Sequence, residues 1–488
     1  MMWDFKRFSE NVALTDEFGS SVCYKELQEE NEKLYKAIGR RCLVFSLCQN
    51  SLGSIVGYTA FLSNGVVPVL LSSELERELL ANLLSVYKPP FVWAPKSNLE
   101  ELESILEDSE SVTDDGSKSN HMEVVYEAYD YILVKTNYDT EYPLYDDLAL
   151  LLTTSGSTGS PKFVRQSYKN VKSNAEAIAE YLKLDETEKP ITTLPMNYTY
   201  GLSIINSHLL VGAEILVTDK GLMQKEFWNF FKESGATSFG GVPYTYEMLD
   251  KLRFYRMNLP SLRYMTQAGG KITTELHSKF ADFAEANGKK FIVMYGQCEA
   301  TARMGYLPAE YAVSKCGSMG IAIPGGHFEL IDESGSKIEA DDTTGELVYQ
   351  GPNVTLGYAE KGEDLLLGDE RGGVLQTGDM AKRDADGFYY IVGRKKRFLK
   401  IYGNRVNLDE TERMIKGHFD GIDVACGGVD DHMYIFLTEE DADDAVKSFV
   451  VSKTKLNPAA FKTVIIDEIP KNDSGKILYK KLEDYYKN

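Results

Sequence analysis

Apolar positions along the chain keep two alternating rhythms. Between Tyr168 and Leu182, and again between Thr274 and Ala286, the pattern is that of a helix with one buried face. Apolar runs at Leu148 to Leu152, Glu214 to Thr218, Leu262 to Met265 and Phe291 to Tyr295 are the right length for buried strands. The best membrane candidate, Ile55 to Leu71, is interrupted by Asn64, Gly65 and Pro68 before it reaches the ~20 apolar residues that a span requires. Helix, turn and strand are expected there instead. Ser73-Glu74-Leu75-Glu76 then reads as a capping box that opens a helix. Leu75, Leu79 and Leu83 share one face of that helix, Pro89-Pro90 ends it, and Phe91-Val92-Trp93 restarts as a strand. Helix and strand thus alternate, which predicts an α/β protein with parallel or mixed sheets covered by helices. Ligands of such sheets sit at the carboxyl ends of the strands.

The texture changes from Thr344 to Ile391, where short alternating strands are separated by turns, among them the hairpin signal Asp386-Gly387. A β-rich subdomain is expected over these residues. From Arg394 to Arg405 basic residues crowd an otherwise acidic chain, and the domain boundary is placed there: residues 1–393 form a large domain and residues 394–488 a small one. The small domain has its own apolar segments, Met433 to Leu437 and Thr463 to Ile466, enough for an α+β fold. Glu107 to Asn120, rich in Ser, Asp and Gly, is expected to be an exposed, mobile loop.

Composition narrows the function. The 488 residues exceed what one core organises well. A hydrophobic fraction of 43% with 26% charged residues is that of a globular chain. A formal net charge of -21 argues against coating nucleic acid or an anionic membrane, both of which need clustered Lys and Arg. Cys23, Cys42, Cys48, Cys298, Cys316 and Cys426 are scattered, with no CxxC pair, and read as reduced thiols of a cytoplasmic protein. The first residues carry no apolar signal region, so no secretory leader is expected. No HExxH and no GxSxG occurs, which removes the zinc-protease and serine-hydrolase readings.

The strongest chemical signal follows the Leu148 to Leu152 strand: Thr153-Thr154-Ser155-Gly156-Ser157-Thr158-Gly159-Ser160-Pro161-Lys162. Glycines let backbone N–H groups turn toward an anion, hydroxyls add donors and Lys162 adds charge, so the run is a phosphate cradle. It is not a Walker A loop, since no GxxxxGK[ST] occurs. Four further segments follow in a fixed order: Tyr295-Gly296-Gln297-Cys298-Glu299-Ala300-Thr301, Thr377-Gly378-Asp379, Gly393-Arg394 and Pro470 to Ile477 with Ser474-Gly475-Lys476. Together these resemble the adenylate-forming superfamily of acyl-CoA synthetases, peptide-synthetase adenylation domains and luciferases. The closest likeness is to a stand-alone acyl-CoA synthetase. The resemblance spans most of the chain and is weakest before Cys42.

That resemblance implies ATP, Mg²⁺ and a small, mobile C-terminal domain. Thr154, Ser155, Gly156, Ser157, Thr158, Gly159 and Lys162 would cradle the phosphates, with Thr158 and Glu299 on the metal; a carboxylate is a hard oxygen ligand suited to Mg²⁺. Gly269, Gly270, Lys271, Tyr295 and Gly296 would pack on adenine, while Asp379 and Arg394 would serve the ribose. Lys476 would contact the acid carboxylate and the α-phosphate, and a donor so placed is worth about 3 to 4 kcal/mol. Lys396 would be the hinge, and Gly403 and Arg405 would border the tunnel of the attacking thiol. The implied reaction is activation of a carboxylic acid as an acyl-adenylate, with release of pyrophosphate and acyl transfer to a thiol.

Departures from the family pattern bear on the substrate. Asn197-Tyr198-Thr199-Tyr200-Gly201 offers Tyr198 where many members carry a His, and Cys298 replaces the usual Thr before Glu299. Pro195-Met196-Asn197-Tyr198 lacks the Asp that holds an amino-acid ammonium, so a carboxylate without a nearby amine is preferred. Tyr198, Tyr200, Gly240 and Gly241 form the candidate acyl pocket, whose aromatic walls suit apolar or aromatic acids. No carrier segment follows Lys476, so the acceptor is expected to be coenzyme A or the phosphopantetheine of a separate acyl carrier protein. The basic run from Arg394 to Arg405 can meet CoA phosphates or serve as a charged linker. Alternatives are a stand-alone amino-acid adenylation enzyme, an acyl-AMP ligase, a phosphotransferase, which leaves Lys476 and Arg394 unexplained, and an inactive nucleotide-binding regulator.

Overall fold

The computed structural model describes residues 2–108, 122–138, 140–153, 162–402, 404–419, 421–472 and 477–487. Of the expected site, Thr154, Ser155, Gly156, Ser157, Thr158, Gly159, Gly403 and Lys476 lie outside the described residues, as do the side chains of Lys396 and Arg405. So does the expected loop beyond Asp108. By internal packing the chain forms two compact units, Met1–His327 with Gln350–Leu375, and Phe328–Tyr349 with Gln376–Asn488. The boundary expected after Gly393 therefore falls inside the second unit, and the β-rich stretch from Thr344 to Ile391 is shared between the two.

The first unit is built on an eight-stranded mixed sheet. In spatial order its strands are Gly357–Ala359, Phe163–Ser167, Leu148–Thr153, Val67–Ser72, Leu43–Cys48, Phe91–Pro95, Tyr131–Lys135 and Glu123–Ala128. The central four are mutually parallel and the flanking pairs antiparallel. Central strands buried on both faces need no alternation, which is why Leu148 to Leu152 is a continuous apolar run. Between two of them passes the helix Leu52–Ser63, almost all of it buried, and then the strand Val67–Ser72. The interrupted apolar segment thus resolves as the expected helix, turn and strand.

The helix after it starts later than expected. Ser73 does not cap; Ser72 Oγ accepts from Glu74 N at 3.2 Å, and the helix runs Arg77–Tyr87 from an N-cap at Glu76 with no side-chain cap. The delay places Leu80, Leu83, Leu84 and Tyr87 on the core-facing side, with Leu75 and Leu79 partly buried against that core. A capping box does form at Ser167: its hydroxyl accepts from Asn170 N at 3.1 Å and Asn170 Oδ1 accepts from Ser167 N at 2.9 Å. It opens the helix Tyr168–Leu182. Asn170 also donates to the carbonyls of Pro352 and Val354, at 2.8 and 2.7 Å.

A five-stranded sheet carries most of the expected site of this unit. Its strands Ser238–Gly241, Tyr264–Gln267 and Lys290–Tyr295 run parallel, and Gly305–Tyr306 and Ile321–Ala322 extend it antiparallel. The three parallel strands end at Gly240-Gly241, before Gly269-Gly270 and at Tyr295, just before Gly296, so the candidate residues cluster at their carboxyl ends.

The second unit holds a four-stranded sheet of His327–Ile331, Gly345–Gln350, Val374–Arg383 and Tyr389–Arg394, with Asp386-Gly387 in the expected hairpin. Beyond it lie the hairpin Phe398–Ile401 with Asn404–Asn407 and the α+β part expected from the sequence. There the sheet of Val424–Val429, His432–Leu437 and Phe461–Ile465 is accompanied by helices Leu408–His418 and Asp443–Thr454. Among the described residues no helix is long and apolar enough to cross a membrane.

Candidate active site

The loop after strand Lys290–Tyr295 is tightly constrained. A Cβ on Gly296 would lie 1.4 Å from the Ala302 carbonyl oxygen, so only glycine permits the backbone to double back here. Thr301 and Ala302 both hold the left-handed conformation, with φ of 53° and 85°, a cost of order 1–3 kcal/mol each that the surroundings must offset. Asn353 offsets it from outside the loop. Its amide donates to the carbonyls of Ala300 and Arg303 at 2.7 and 2.9 Å, and its own carbonyl accepts from Thr301 Oγ1 at 2.8 Å.

This loop presents Glu299 from a short 3-10 turn, Cys298–Ala300. The Glu299 carbonyl accepts from Thr355 N, Thr355 Oγ1 and Arg371 Nη1, each at 3.0 Å. Its carboxylate accepts from the Tyr358 hydroxyl at 2.7 Å. Burial, and then the bond to Glu299, push the Tyr358 phenol up to about 12, so it stays a donor across the ordinary pH range. Lys162 Nζ sits 4.0 Å from the centre of the Tyr358 ring and Arg371 Cζ 4.7 Å from it. Lys162 also pairs with Glu360 at 3.4 Å. Tyr358 therefore brings together two expected residues far apart in sequence, Lys162 and Glu299. Tyr358, Arg371 and Thr355 did not emerge from the sequence; a Gly-Tyr pair within the β-rich stretch was the available signal.

The expected acyl-pocket residues also meet. Thr199 Oγ1 lies 2.9 Å from Cys298 Sγ, tying the Tyr198 segment to the Glu299 loop. Gly269 has φ of 82°, and a Cβ there would come within 2.7 Å of the Tyr198 hydroxyl. Tyr198 meets Tyr200 edge to face at 6.4 Å, and the Tyr200 hydroxyl lies 2.8 Å from Thr266 Oγ1. A Cβ on Gly240 would meet Ile204 and Tyr200 at 2.8 and 3.0 Å, and one on Gly241 would meet Thr245 at 2.7 Å. Gly269, Gly270 and Lys271 are exposed beside this group, and Gln267 Nε2 braces the turn through the Gly270 carbonyl at 2.9 Å. Tyr295 is partly buried and accepts from Gln297 Nε2 at 3.3 Å.

In the second unit Asp379 and Arg394 are direct cross-strand partners. Arg394 Nε approaches Asp379 Oδ1 at 3.5 Å, the arginine side chain more than half exposed and the aspartate nearly buried. Thr377 steadies the turn, accepting from Asp379 N at 3.1 Å and donating to the Leu347 carbonyl at 2.7 Å. Of the basic run, Arg397 is not available to a phosphate. It lies largely covered over the Tyr479 ring at 3.7 Å and pairs with Asp409 and Glu412 at 2.8 and 2.5 Å, and Glu412 also accepts from Cys426 N and the Tyr479 hydroxyl. Lys395 pairs with Glu346 at 2.7 Å.

The residues present fit a magnesium ion that arrives with its nucleotide. Mg²⁺ keeps several waters and takes one or two carboxylates plus phosphate oxygens, and Glu299 offers one such carboxylate. Among the described residues no group of three or more His, Cys, Asp and Glu could hold a metal by itself.

A model of the AMP-binding enzyme family matches residues 2–359. The chain belongs to that family. Among curated relatives, the oxalate–CoA ligase of Arabidopsis thaliana is 31% identical over 354 residues, covering 68% of this chain and 66% of that protein. A 2-succinylbenzoate–CoA ligase of Geobacillus is 26% identical over 357 residues, 71% of each chain. The chain spans just under two thirds of the length of the first of these, and 61% of a Bacillus subtilis long-chain-fatty-acid–CoA ligase. Among solved structures, the o-succinylbenzoate CoA synthetase of Bacillus subtilis superposes with a TM-score of 0.78 at 21% identity over 98% of this chain and 97% of that one. A benzoate CoA ligase from Burkholderia xenovorans does so with 0.74 at 22%, over 98% of each. The AMP-binding α/β fold is therefore common to all of them.

Proposed function

We propose that this member of the AMP-binding family is an AMP-forming acid–thiol ligase. It converts a carboxylic acid and ATP into an acyl-adenylate and pyrophosphate, then passes the acyl group to the thiol of coenzyme A. The observation that supports this best is the single cluster in which Lys162 and Glu299 share Tyr358, while Thr199 joins the Glu299 loop to the aromatic pocket. Phosphate-directed charge and the candidate acyl-pocket residues then lie in one unit. Glu299 would hold Mg²⁺, which supplies charge neutralisation at the ATP phosphates. Lys162 and the residues from Thr154 to Gly159 bind those phosphates, and Gly269, Gly270 and Tyr295 flank the base. Asp379 and Arg394 serve the ribose hydroxyls, and Lys476 steadies the charge that develops at the α-phosphate.

The chain from residue 394 onward is proposed to pivot at Lys396, so that Lys476 serves adenylation and Gly403 and Arg405 the thiol step. A single rigid arrangement can hardly both hold a cation at the α-phosphate and leave a path to the acyl carbon. The thiol of a separate acyl carrier protein is the second acceptor to test. Six free cysteines suit a reducing compartment, and we place the protein in the cytoplasm. Relatives named for oxalate, 2-succinylbenzoate and long-chain fatty acids do not converge on one acid.

ATP–pyrophosphate exchange against a panel of carboxylic acids tests the reading. Acid-dependent exchange is expected. ADP formation would mean phosphotransfer, and neither product would mean a binding protein. Addition of coenzyme A or a phosphopantetheinylated carrier then identifies the acceptor.

A further inference from the structure

Arg303, four residues beyond Glu299, is 1% exposed. A guanidinium stripped of water costs several kcal/mol unless a carboxylate and well-made hydrogen bonds replace the lost hydration. Here none of the described carboxylates forms an ion pair with it. Its Nε donates to Ser203 Oγ at 3.2 Å, and Nη1 donates to the Tyr181 hydroxyl at 2.9 Å and to Met294 Sδ. Its plane lies over the Tyr200 ring at 4.7 Å. Nη2 has no hydrogen-bond partner among the described residues. The contrast with Arg165 and Arg397 is direct: Arg165 is also buried and Arg397 is largely covered, and both pair with glutamate.

Arg303 borders a cavity of about 10 Å³, shared with Gly240, Ile204, His208, Tyr264 and Thr266. That volume is about one water molecule's worth, so it takes a compact polar group and not an alkyl chain. His208 adds no charge: its Nδ1 faces the Ile204 carbonyl at 2.8 Å and its Nε2 the Tyr264 hydroxyl at 2.9 Å. Burial pulls the imidazole down to about 4, keeping it neutral. Gly240 and Tyr200 belong to the candidate acyl pocket, and Tyr198 continues from Tyr200 to the exposed Gly269. Gly240 thus lines both that cavity and the candidate acyl pocket, and Arg303 brings a positive charge to their shared border.

We propose that Arg303 closes the acyl pocket and that the acid it accepts carries, besides the reacting carboxylate, a second carboxylate that pairs with this guanidinium: the substrate is a short dicarboxylic acid. This rests on the acid–thiol ligase reading and names its substrate class. It also revises the expectation of an apolar or aromatic acid, since the walls are aromatic but the floor is cationic. Arg303 acts on specificity; it touches the far end of the substrate, not the reacting atoms.

The test is ATP–pyrophosphate exchange by the full chain with straight dicarboxylic acids of two to six carbons, each beside its length-matched monocarboxylic acid and monoamide. One dicarboxylic acid should exceed its monocarboxylic partner by about 10²-fold or more in kcat/KM, as sites built to pair a polar group reject analogues that lack it. Arg303→Met should erase that preference while leaving the KM for ATP in place, and Arg303→Lys should recover part of it. Exchange with monocarboxylic acids and no preference for a second carboxylate overturns the inference and leaves the ligase reading standing. Equal loss by Arg303→Met on both classes of acid also overturns it, as a purely structural role would. Exchange with no acid at all overturns both. Should Arg303→Met not fold, the wild-type panel decides alone.

Discussion

Removing the single oxygen of Tyr358 asks how much of the proposed metal site at Glu299 depends on one hydrogen bond. In Tyr358→Phe the ring under Lys162 and Arg371 remains, and the backbone of Glu299 keeps its three donors at 3.0 Å. What goes is the 2.7 Å bond that orients the carboxylate. Bonds to charged acceptors are worth about 1.5–3 kcal/mol, and partial exposure of Glu299 favours the lower end. About 1.5 kcal/mol corresponds to roughly tenfold, in keeping with the 10- to 100-fold usually lost when the group orienting a metal ligand is removed. The Mg²⁺ concentration for half-maximal acid-dependent exchange should therefore rise about tenfold, with little change in thermal stability. Glu299→Gln should abolish the Mg²⁺ response, and adding Tyr358→Phe to it should cost nothing further, because both act through one contact. An unchanged magnesium titration, or two effects that simply multiply, would refute the claim that Tyr358 works by aiming Glu299.

Asp379→Ala should raise the KM for ATP more than that for the acid; equal effects would remove Asp379 from the nucleotide sugar. Lys476→Ala should nearly abolish adenylation yet still convert presynthesised acyl-adenylate to thioester, whereas Lys396→Pro should impair thioester formation more, as single-turnover assays of the two steps will show. If both variants slow both steps alike, the pivot is wrong. His208 is held neutral with its folded pKa near 4 against 6.5 unfolded. The unfolded chain then binds the proton first, and this site costs stability as pH falls from 6.5 toward 4, by up to about 3 kcal/mol. In urea melts His208→Gln should start less stable at pH 7 but lose less on acidification; parallel curves would contradict the assignment.

Periodicity made the helices Tyr168–Leu182 and Thr274–Ala286 legible, because their apolar faces are set by local spacing. The same logic misplaced the start of the helix Arg77–Tyr87. Ser73-Glu74 has the capping composition, but Ser72 forms a turn first, and the register that faces Leu80 and Leu84 inward decides the start. Strand partners were not legible: Gly357–Ala359 reads as part of a β-rich stretch and yet pairs with Phe163–Ser167, nearly two hundred residues earlier. The motif residues Glu299, Asp379 and Lys162 could be singled out as candidates because their neighbours are unusual. Arg303 and Arg397 could not, since a basic residue in sequence looks solvated and only burial reveals otherwise. Their opposite circumstances, one paired with carboxylates and one without, are invisible without three-dimensional neighbours.

The reliance of the Glu299 loop on Asn353 also has a consequence in time. The left-handed turn at Thr301 and Ala302 is held by a residue 50 positions downstream of Arg303. On the ribosome the strand Lys290–Tyr295 can pair with its neighbours well before that residue emerges, but the loop cannot lock until it does. Stalled nascent chains ending ahead of Asn353 should therefore carry a sheet already protected from protease beside a loop that is still cleaved, so competence at this site arrives as a late and abrupt event in synthesis.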